Sequence, residues 1–295
     1  MSALLKRKYR TSILKFVALL SLVRWYNIIL LILAQYLASF LILRPLSHWK
    51  ESVLDYRLHL IILASALVVA AGFIINSFYD KEKDLINRPQ QTLFERLISQ
   101  KTAFQLSFTF NLIAVLLAYV VSWRAALFYF AYSAALWYYS HRLKKITFIG
   151  NLAAAILALT PFFGIFFYFG EIHWDLFLYV SFMIFIELCR ELVKDLEALK
   201  GDLIIGYPTV PVVLGVRKTK AIILLINLLS FIPAFIVYPL FSFPLIVFLV
   251  SCLMSITATN IYLSWDDEEY RVTVVSRVYK VFVIASVFSL TLFAL

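Results

Sequence analysis

Two stretches of this chain hold oxygen-bearing side chains at spacings that suit chemistry. The first is Asn76-Ser-Phe-Tyr-Asp80-Lys-Glu-Lys-Asp84-Leu-Ile-Asn87-Arg88-Pro89, directly after a long apolar run. Asn76, Asp80 and Asp84 stand four apart, so on a continued helix they share one face, spread over roughly 12 Å at about 1.5 Å per residue. A row of oxygen ligands at that spacing suits Mg²⁺ shared with a substrate phosphate. The competing reading is a solvated helix end whose charges mark a membrane boundary. The second stretch runs from Arg190 to Asp202 and also follows an apolar run. There Glu187, Glu191, Lys194, Asp195, Ala198 and Asp202 fall at three- and four-residue steps. Carboxylates packed on one helical stripe repel one another unless cations sit between them. Two such clusters facing each other can hold two or three Mg²⁺ ions around a diphosphate.

Other polar residues stand where an apolar chain normally has none. Arg24 and Asn27 lie inside the first apolar run, where an unpartnered polar group is costly. Arg24 can snorkel to an interface beside Trp25, whereas Asn27 is too short to do so. The segment Tyr138-Tyr139-Ser140-His141-Arg142-Leu143-Lys144-Lys145 reads as an ordinary basic loop or as one in which Lys144 or Lys145 turns inward to hold a phosphate. Pro161 and Gly164, set among phenylalanines, predict a kink lined by aromatic rings. The acidic run Asp266-Asp267-Glu268-Glu269 is consecutive, shares no helical face, and reads as solvated loop charge.

The elements that must position these residues are membrane helices. The chain is 63% hydrophobic and only 15% charged, with a mean hydropathy of +0.90, and its apolar runs are long and continuous. That excludes an ordinary soluble domain and disfavours a β-barrel. We expect an all-α polytopic membrane protein over a single domain, residues 1–295, with nine spans at roughly 16–43, 58–79, 102–121, 125–140, 148–169, 174–194, 219–239, 243–263 and 275–294. Helices two to five and six to nine form a candidate internal duplication, with the two acidic stretches at equivalent helix ends. Most of the 27 lysines and arginines fall on the N-terminal side of a nine-span arrangement. The other side holds only Arg44, Lys50, Arg57 and Arg124, so the positive-inside rule places the N-terminus in the cytoplasm. The formal charge of +10 is explained by that topology and by anionic lipid, not by nucleic-acid binding. Cys189 and Cys252 support neither a disulfide framework nor a metal cluster, and the four histidines have no ligand spacing.

The motif N-x-x-x-D-x-x-x-D-x-x-N-R-P at 76–89, the Y-S-x-x-L-K loop at 139–144 and the second acidic helix end together resemble the UbiA superfamily of intramembrane prenyltransferases, over essentially the whole chain. The stretch R-E-x-x-K-D-x-E-x-x-x-G-D at 190–202 is similar to the digeranylgeranylglyceryl phosphate synthase branch. The resemblance implies a UbiA-type helix bundle in the cell's inner membrane, with its active site opening to the cytoplasm. It implies Mg²⁺-dependent transfer of a prenyl group from a prenyl diphosphate to a lipophilic acceptor hydroxyl. Asn76, Asp80, Asp84, Glu191, Asp195 and Asp202 would then ligate metal, with Lys144 on the diphosphate. Arg24, Asn27, Arg88, Lys145, Arg190 and Lys194 would serve the substrates. An aromatic acceptor is the alternative, and a secondary transporter a more distant one. One departure stands out: the branch usually has an aspartate where this chain has Ala198.

Overall fold

Backbone N–H and C=O groups in hydrocarbon have no water to bond, so runs this apolar satisfy them internally as helices. The computed structural model describes residues 2–43, 49–169, 174–237, 242–265 and 269–294, and every regular element among them is helical. Helix α1 (Ser2–Leu22) ends where Arg24 takes a left-handed conformation (φ 50°, ψ 54°). Helix α2 (Trp25–Ala38) starts afresh from there and passes into a π turn, Ser39–Leu43. After α3 (Trp49–Leu54), the Asp55 side chain accepts from the Arg57 N–H at 3.1 Å and opens α4 (Tyr56–Tyr79). Helices α5 (Lys81–Asn87) and α6 (Pro89–Glu95) then lead to α7 (Gln100–Val121) and α8 (Trp123–His141).

The second half begins with a kinked rod: α9 (Ile149–Leu159), a 3₁₀ turn Thr160–Phe163, and α10 (Gly164–Phe169). Next come α11 (Trp174–Glu197), α12 (Leu199–Ile205), α13 (Val210–Leu214) and α14 (Val216–Leu229). The chain closes with α15 (Phe231–Val237), α16 (Phe243–Ser264) and α17 (Glu269–Ser289). Two helices of 24 residues, α4 and α11, form the interior. Helix α4 packs against α2, α7, α8 and α10, while α11 packs against α9, α14 and α17. Their inward residues, such as Ile61, Val68, Ile186 and Leu192, belong to one continuous buried core.

The expected nine spans give way to six. Among the described residues, six helices are long and apolar enough to cross a membrane: Trp25–Leu43, Tyr56–Tyr79, Gln100–Val121, Ile149–Phe169, Phe243–Ser264 and Tyr270–Phe293. The expected fourth span is α8, which is long but too rich in tyrosine, tryptophan and serine. The sixth is α11, whose second half carries Glu187, Arg190, Glu191 and Lys194. The seventh divides at Ser230 into α14 and α15. The first is shortened, because the turn at Arg24 cuts α1 from α2. With the count of nine goes the loop-by-loop charge count that placed the N-terminus in the cytoplasm. The acidic run Asp266–Glu268 and the expected outer-loop residues Arg44 to His48 lie outside the described residues.

The predicted kink has a definite anchor. Gln35 Nε2, fully buried, donates to Ser65 Oγ and to the Pro161 carbonyl, both at 2.8 Å. Tyr129 Oη pairs with Ser65 Oγ at 2.6 Å and donates to the Ile61 carbonyl at 3.2 Å. Pro161 has no N–H for the carbonyl four residues back, that of Leu157, and Tyr132 Oη donates to it at 2.8 Å. Gln35 gives the Pro161 carbonyl a second donor beside the Gly164 N–H. Gly164 leaves room for the knot, because a Cβ there would land on the Tyr129 hydroxyl. Gly164→Ala is therefore expected to cost about 1–3 kcal/mol, seen as a lower thermal midpoint in detergent. Adding Tyr129→Phe should recover part of that loss; no recovery would place the strain elsewhere.

Candidate functional site

The acidic stretch after α4 keeps its helical path. Asp80 bridges α4 and α5 in a conformation (φ −91°, ψ 3°) just outside the α region. The four-residue hydrogen-bond ladder nevertheless continues, from Asp80 N–H to Asn76 O (2.9 Å), Asp84 to Asp80 (2.8 Å) and Arg88 to Asp84 (2.7 Å). Asn76, Asp80 and Asp84 therefore lie along one face. The second stretch is built alike. Ala198 bridges α11 and α12 with φ −92° and ψ 1°, and the ladder runs from Ala198 N–H to Lys194 O (2.9 Å) and from Asp202 to Ala198 (3.1 Å). Each unit is a 24-residue helix, one bridging residue and a seven-residue helix. Position by position, Lys194, Ala198 and Asp202 stand where Asn76, Asp80 and Asp84 stand.

The two units meet over a cavity of about 150 Å³. Asn76, Asp80, Asp84, Arg88, Arg24 and Lys144 line it from the first half of the chain, and Glu191, Lys194 and Asp195 from the second. Lys144, on a 3₁₀ turn (Leu143–Lys145), reaches Asp80 Oδ1 at 2.5 Å and Asn76 Oδ1 at 3.4 Å. Lys194 Nζ holds both oxygens of Glu191 at 2.7 Å. Arg24 lies over the Phe73 ring, 5.1 Å from its centroid. Four residues named from the sequence do not line the cavity. Asn27 is half-buried on α2, and Lys145 is exposed. Arg190 is drawn to Glu187 and Glu191 on its own helix. Asp202 is fully buried behind the wall, with its Oδ1 2.8 Å from Lys83 Nζ.

Three contributors escaped the sequence reading. Lys83 lines the cavity and crosses from α5 to Asp202 on α12, with its ammonium 5.1 Å from the Tyr207 ring centroid. Asn151, near the start of α9, donates to Asp195 Oδ2 at 2.7 Å. Tyr207 adds a phenol to the wall. Lys83 lies three residues from Asp80, on the same side of the helix, and that spacing was the available signal. The other two depend on packing between distant segments.

These donors fit a magnesium ion. The available ligands are carboxylate and amide oxygens, the set a hard divalent cation takes. Asp84 makes no side-chain hydrogen bond or ion pair among the described residues. Burial raises its pKa, with the Asp80 charge adding to the shift and Arg24 and Arg88 opposing it. Buried polar atoms without a hydrogen-bond partner also gather here, including Asn87 Nδ2 and Tyr207 Oη. No three carboxylate, histidine or cysteine side chains converge into a closed metal cage among the described residues. A magnesium ion here would therefore be held by one or two carboxylates and completed by water and substrate phosphate. Two ammonium groups set the remaining electrostatics. Burial lowers the Lys144 pKa despite the pull of Asp80. Burial also pulls on Lys83, but Asp202, Asp195 and Asp80 together outweigh it and leave its pKa raised.

Comparison with known proteins gives this arrangement a family. The profile of the UbiA prenyltransferase family matches residues 36–283. A digeranylgeranylglyceryl phosphate synthase from Sulfurisphaera tokodaii is 33% identical over 195 residues, covering 64% of this chain and 69% of that protein. The Pyrococcus horikoshii protein of the same name is 32% identical over 182 residues, 61% of this chain and 65% of that one. The matches thus span about two thirds of these relatives' length. A solved structure concerning digeranylgeranylglyceryl phosphate synthase superposes with a TM-score of 0.72 over 95% of this chain and 98% of that chain, at 20% identity. A UbiA homolog from Archaeoglobus fulgidus bound to GPP and Mg²⁺ gives 0.64 over 93% and 99%, at 18% identity.

The inward turn of Lys144 depends on Gly150. A Cβ at Gly150 would stand 2.9 Å from the Lys144 carbonyl oxygen and 3.0 Å from its Cα, against backbone that cannot swing aside. Gly150→Ala is expected to push the turn off α9 and to expose Lys144, whose side chain is 7% accessible. Amine acylation followed by mass spectrometry should label Lys144 several-fold faster in the variant. An unchanged labelling rate would show that the turn does not hold the lysine in place.

Proposed function

The chain belongs to the UbiA prenyltransferase family, and we propose that it moves a prenyl group from a prenyl diphosphate to a hydroxyl of a lipophilic acceptor, releasing diphosphate. The observation that carries this is the meeting of Asn76, Asp80, Asp84, Lys144, Glu191 and Asp195 on one polar cavity at the ends of apolar helices. The acceptor class we favour is a prenylglyceryl phosphate, in line with the names of the archaeal relatives. Its phosphate needs a cation apart from those on the diphosphate. Arg24 faces the cavity and suits that role, whereas Arg190 is already tied to Glu187 and Glu191.

The chain's own residues divide the work. Asn76, Asp80 and Asp84 would hold Mg²⁺ with the diphosphate, with Asp195 and Glu191 opposite. Bound magnesium supplies Lewis-acid neutralisation of the charge that grows on the leaving diphosphate. Lys144 and Arg88 add fixed positive charge to the same group. As the allylic C–O bond breaks, the apolar helices around the cavity keep water from the carbocation until the acceptor hydroxyl oxygen forms the new ether bond and its proton passes to the departing diphosphate. The site opens to the cytoplasmic face of the inner membrane in this proposal. Lys81, Lys83, Arg88, Arg142, Lys144 and Lys145 all gather at that end of the bundle, as the positive-inside rule requires.

Purified protein given Mg²⁺, a prenyl diphosphate and a panel of acceptors should release diphosphate and form a prenyl ether, most rapidly with prenylglyceryl phosphates. Folded protein that transfers to no acceptor would defeat the proposal, and transfer to an aromatic acceptor alone would redirect it. Asp80→Ala and Asp84→Ala should each lower turnover by about 100-fold or more, and chelation of Mg²⁺ should stop the wild type reversibly. Wild-type turnover in either variant would remove that residue from the cation site.

A further inference from the structure

The two halves of the clamp share a backbone plan but differ in charge. In the first, the positions in register are Asn76, Asp80 and Asp84; in the second, they are Lys194, Ala198 and Asp202. The first row is doubly negative and the second is neutral. Every carboxylate of the second half also has a fixed partner. Glu191 has the Lys194 ammonium at 2.7 Å on both oxygens, and Asp195 has the Asn151 amide at 2.7 Å. Asp202, fully buried, has the Lys83 ammonium at 2.8 Å. That contact is an ion pair by distance, and neither Asp202 oxygen receives an aligned hydrogen bond. An ammonium carries three donors, and Lys83 is 20% exposed on the cavity wall.

We propose that Lys83 is a built-in cation for the second half of the clamp: Asp202 holds its ammonium at the cavity wall, where it binds a diphosphate oxygen in place of a divalent ion. This rests on reading the site as a diphosphate clamp. The absence of a carboxylate at Ala198 and the presence of Lys83 are then one adaptation. A divalent ion beside Asp202 would need further oxygen ligands, which the row of Lys194, Ala198 and Asp202 does not offer. The clamp is asymmetric, with metal on the Asn76–Asp80–Asp84 side and lysine on the other.

The test counts ions instead of turnovers. Wild-type protein in detergent is titrated with Mn²⁺, followed by electron paramagnetic resonance, in the presence of an unreactive prenyl thiolodiphosphate. The expected result is one tightly bound Mn²⁺ per chain. Lys83→Met should weaken the thiolodiphosphate at least tenfold and leave the Mn²⁺ count at one. If Lys83→Met unfolds because Asp202 is stranded, Lys83→Met with Asp202→Asn removes both charges, and that folded variant should show the same weakening. Lys83→Val with Ala198→Asp should recover analogue binding with a second Mn²⁺. Two ions in the wild type, or full analogue affinity in the charge-free double variant, would overturn the assignment of Lys83. A wild-type protein that binds no prenyl thiolodiphosphate at any Mn²⁺ concentration would instead overturn the function on which it rests.

Discussion

Carboxylates at the ends of apolar helices must either stay wet or be matched by a fixed charge or donor, because stripping water from an unpaired carboxylate costs several kcal/mol. That requirement organises this end of the bundle. Asp80 is matched by Lys144, Glu191 by Lys194, Asp195 by Asn151 and Asp202 by Lys83. Each match except Glu191–Lys194 joins different elements, so together they hold the 3₁₀ turn to α4, α9 to α11, and α5 to α12. Gly201 allows the last approach, since a Cβ there would run into the Asn87 side chain. The electrostatic solution and the packing solution are the same contacts.

Asp84 is the exception, and an unmatched carboxylate is what the proposed cation site would use. A carboxylate already locked to an ammonium can take a metal only by surrendering that partner. One left unmatched beside Asn76 and Asp80 gives a divalent ion a place to enter. Burial and the Asp80 charge raise its pKa against the opposing pull of Arg24 and Arg88. The apolar helices beneath do the complementary work. The donors they carry, such as Gln35 Nε2 and Tyr129 Oη, are spent on partners within the core, so charged chemistry is confined to the helix ends.

How much of this could be read from residues alone depended on range. The Asn76–Asp80–Asp84 face was legible because it needs only helical periodicity, and the ladder through Asp80 preserves that periodicity across the bridge. The meeting of the two acidic stretches was legible as an expectation from their matched placement after apolar helices. The span count was not. Apolarity marks where a chain can be buried, but Arg24 in the left-handed region, the tyrosines of α8, the charges of α11 and the break at Ser230 each change what the segment can do. Arg190 has the chemistry of a phosphate ligand, yet the structure ties it to Glu187 on the preceding turn. Lys83–Asp202 and Asn151–Asp195 arise only once distant helices pack, so no local pattern announces them.

The two bridging residues tie these observations together. Asp80 and Ala198 both sit near φ −90°, ψ 0°, a sparsely allowed region common in active sites. Placing a residue there turns the short helix that follows without breaking its hydrogen-bond ladder, and the following carboxylate, Asp84 or Asp202, is aimed accordingly. At the first bridge an aspartate sets a second carboxylate against Asp84, a repulsion that a cation bound in the proposed site would relieve. At the second, alanine removes that repulsion, and Asp202 is free to sink to complete burial on a lysine. One backbone device thus supports two electrostatic outcomes, set by the side chain at the bend together with the lysine that meets Asp202.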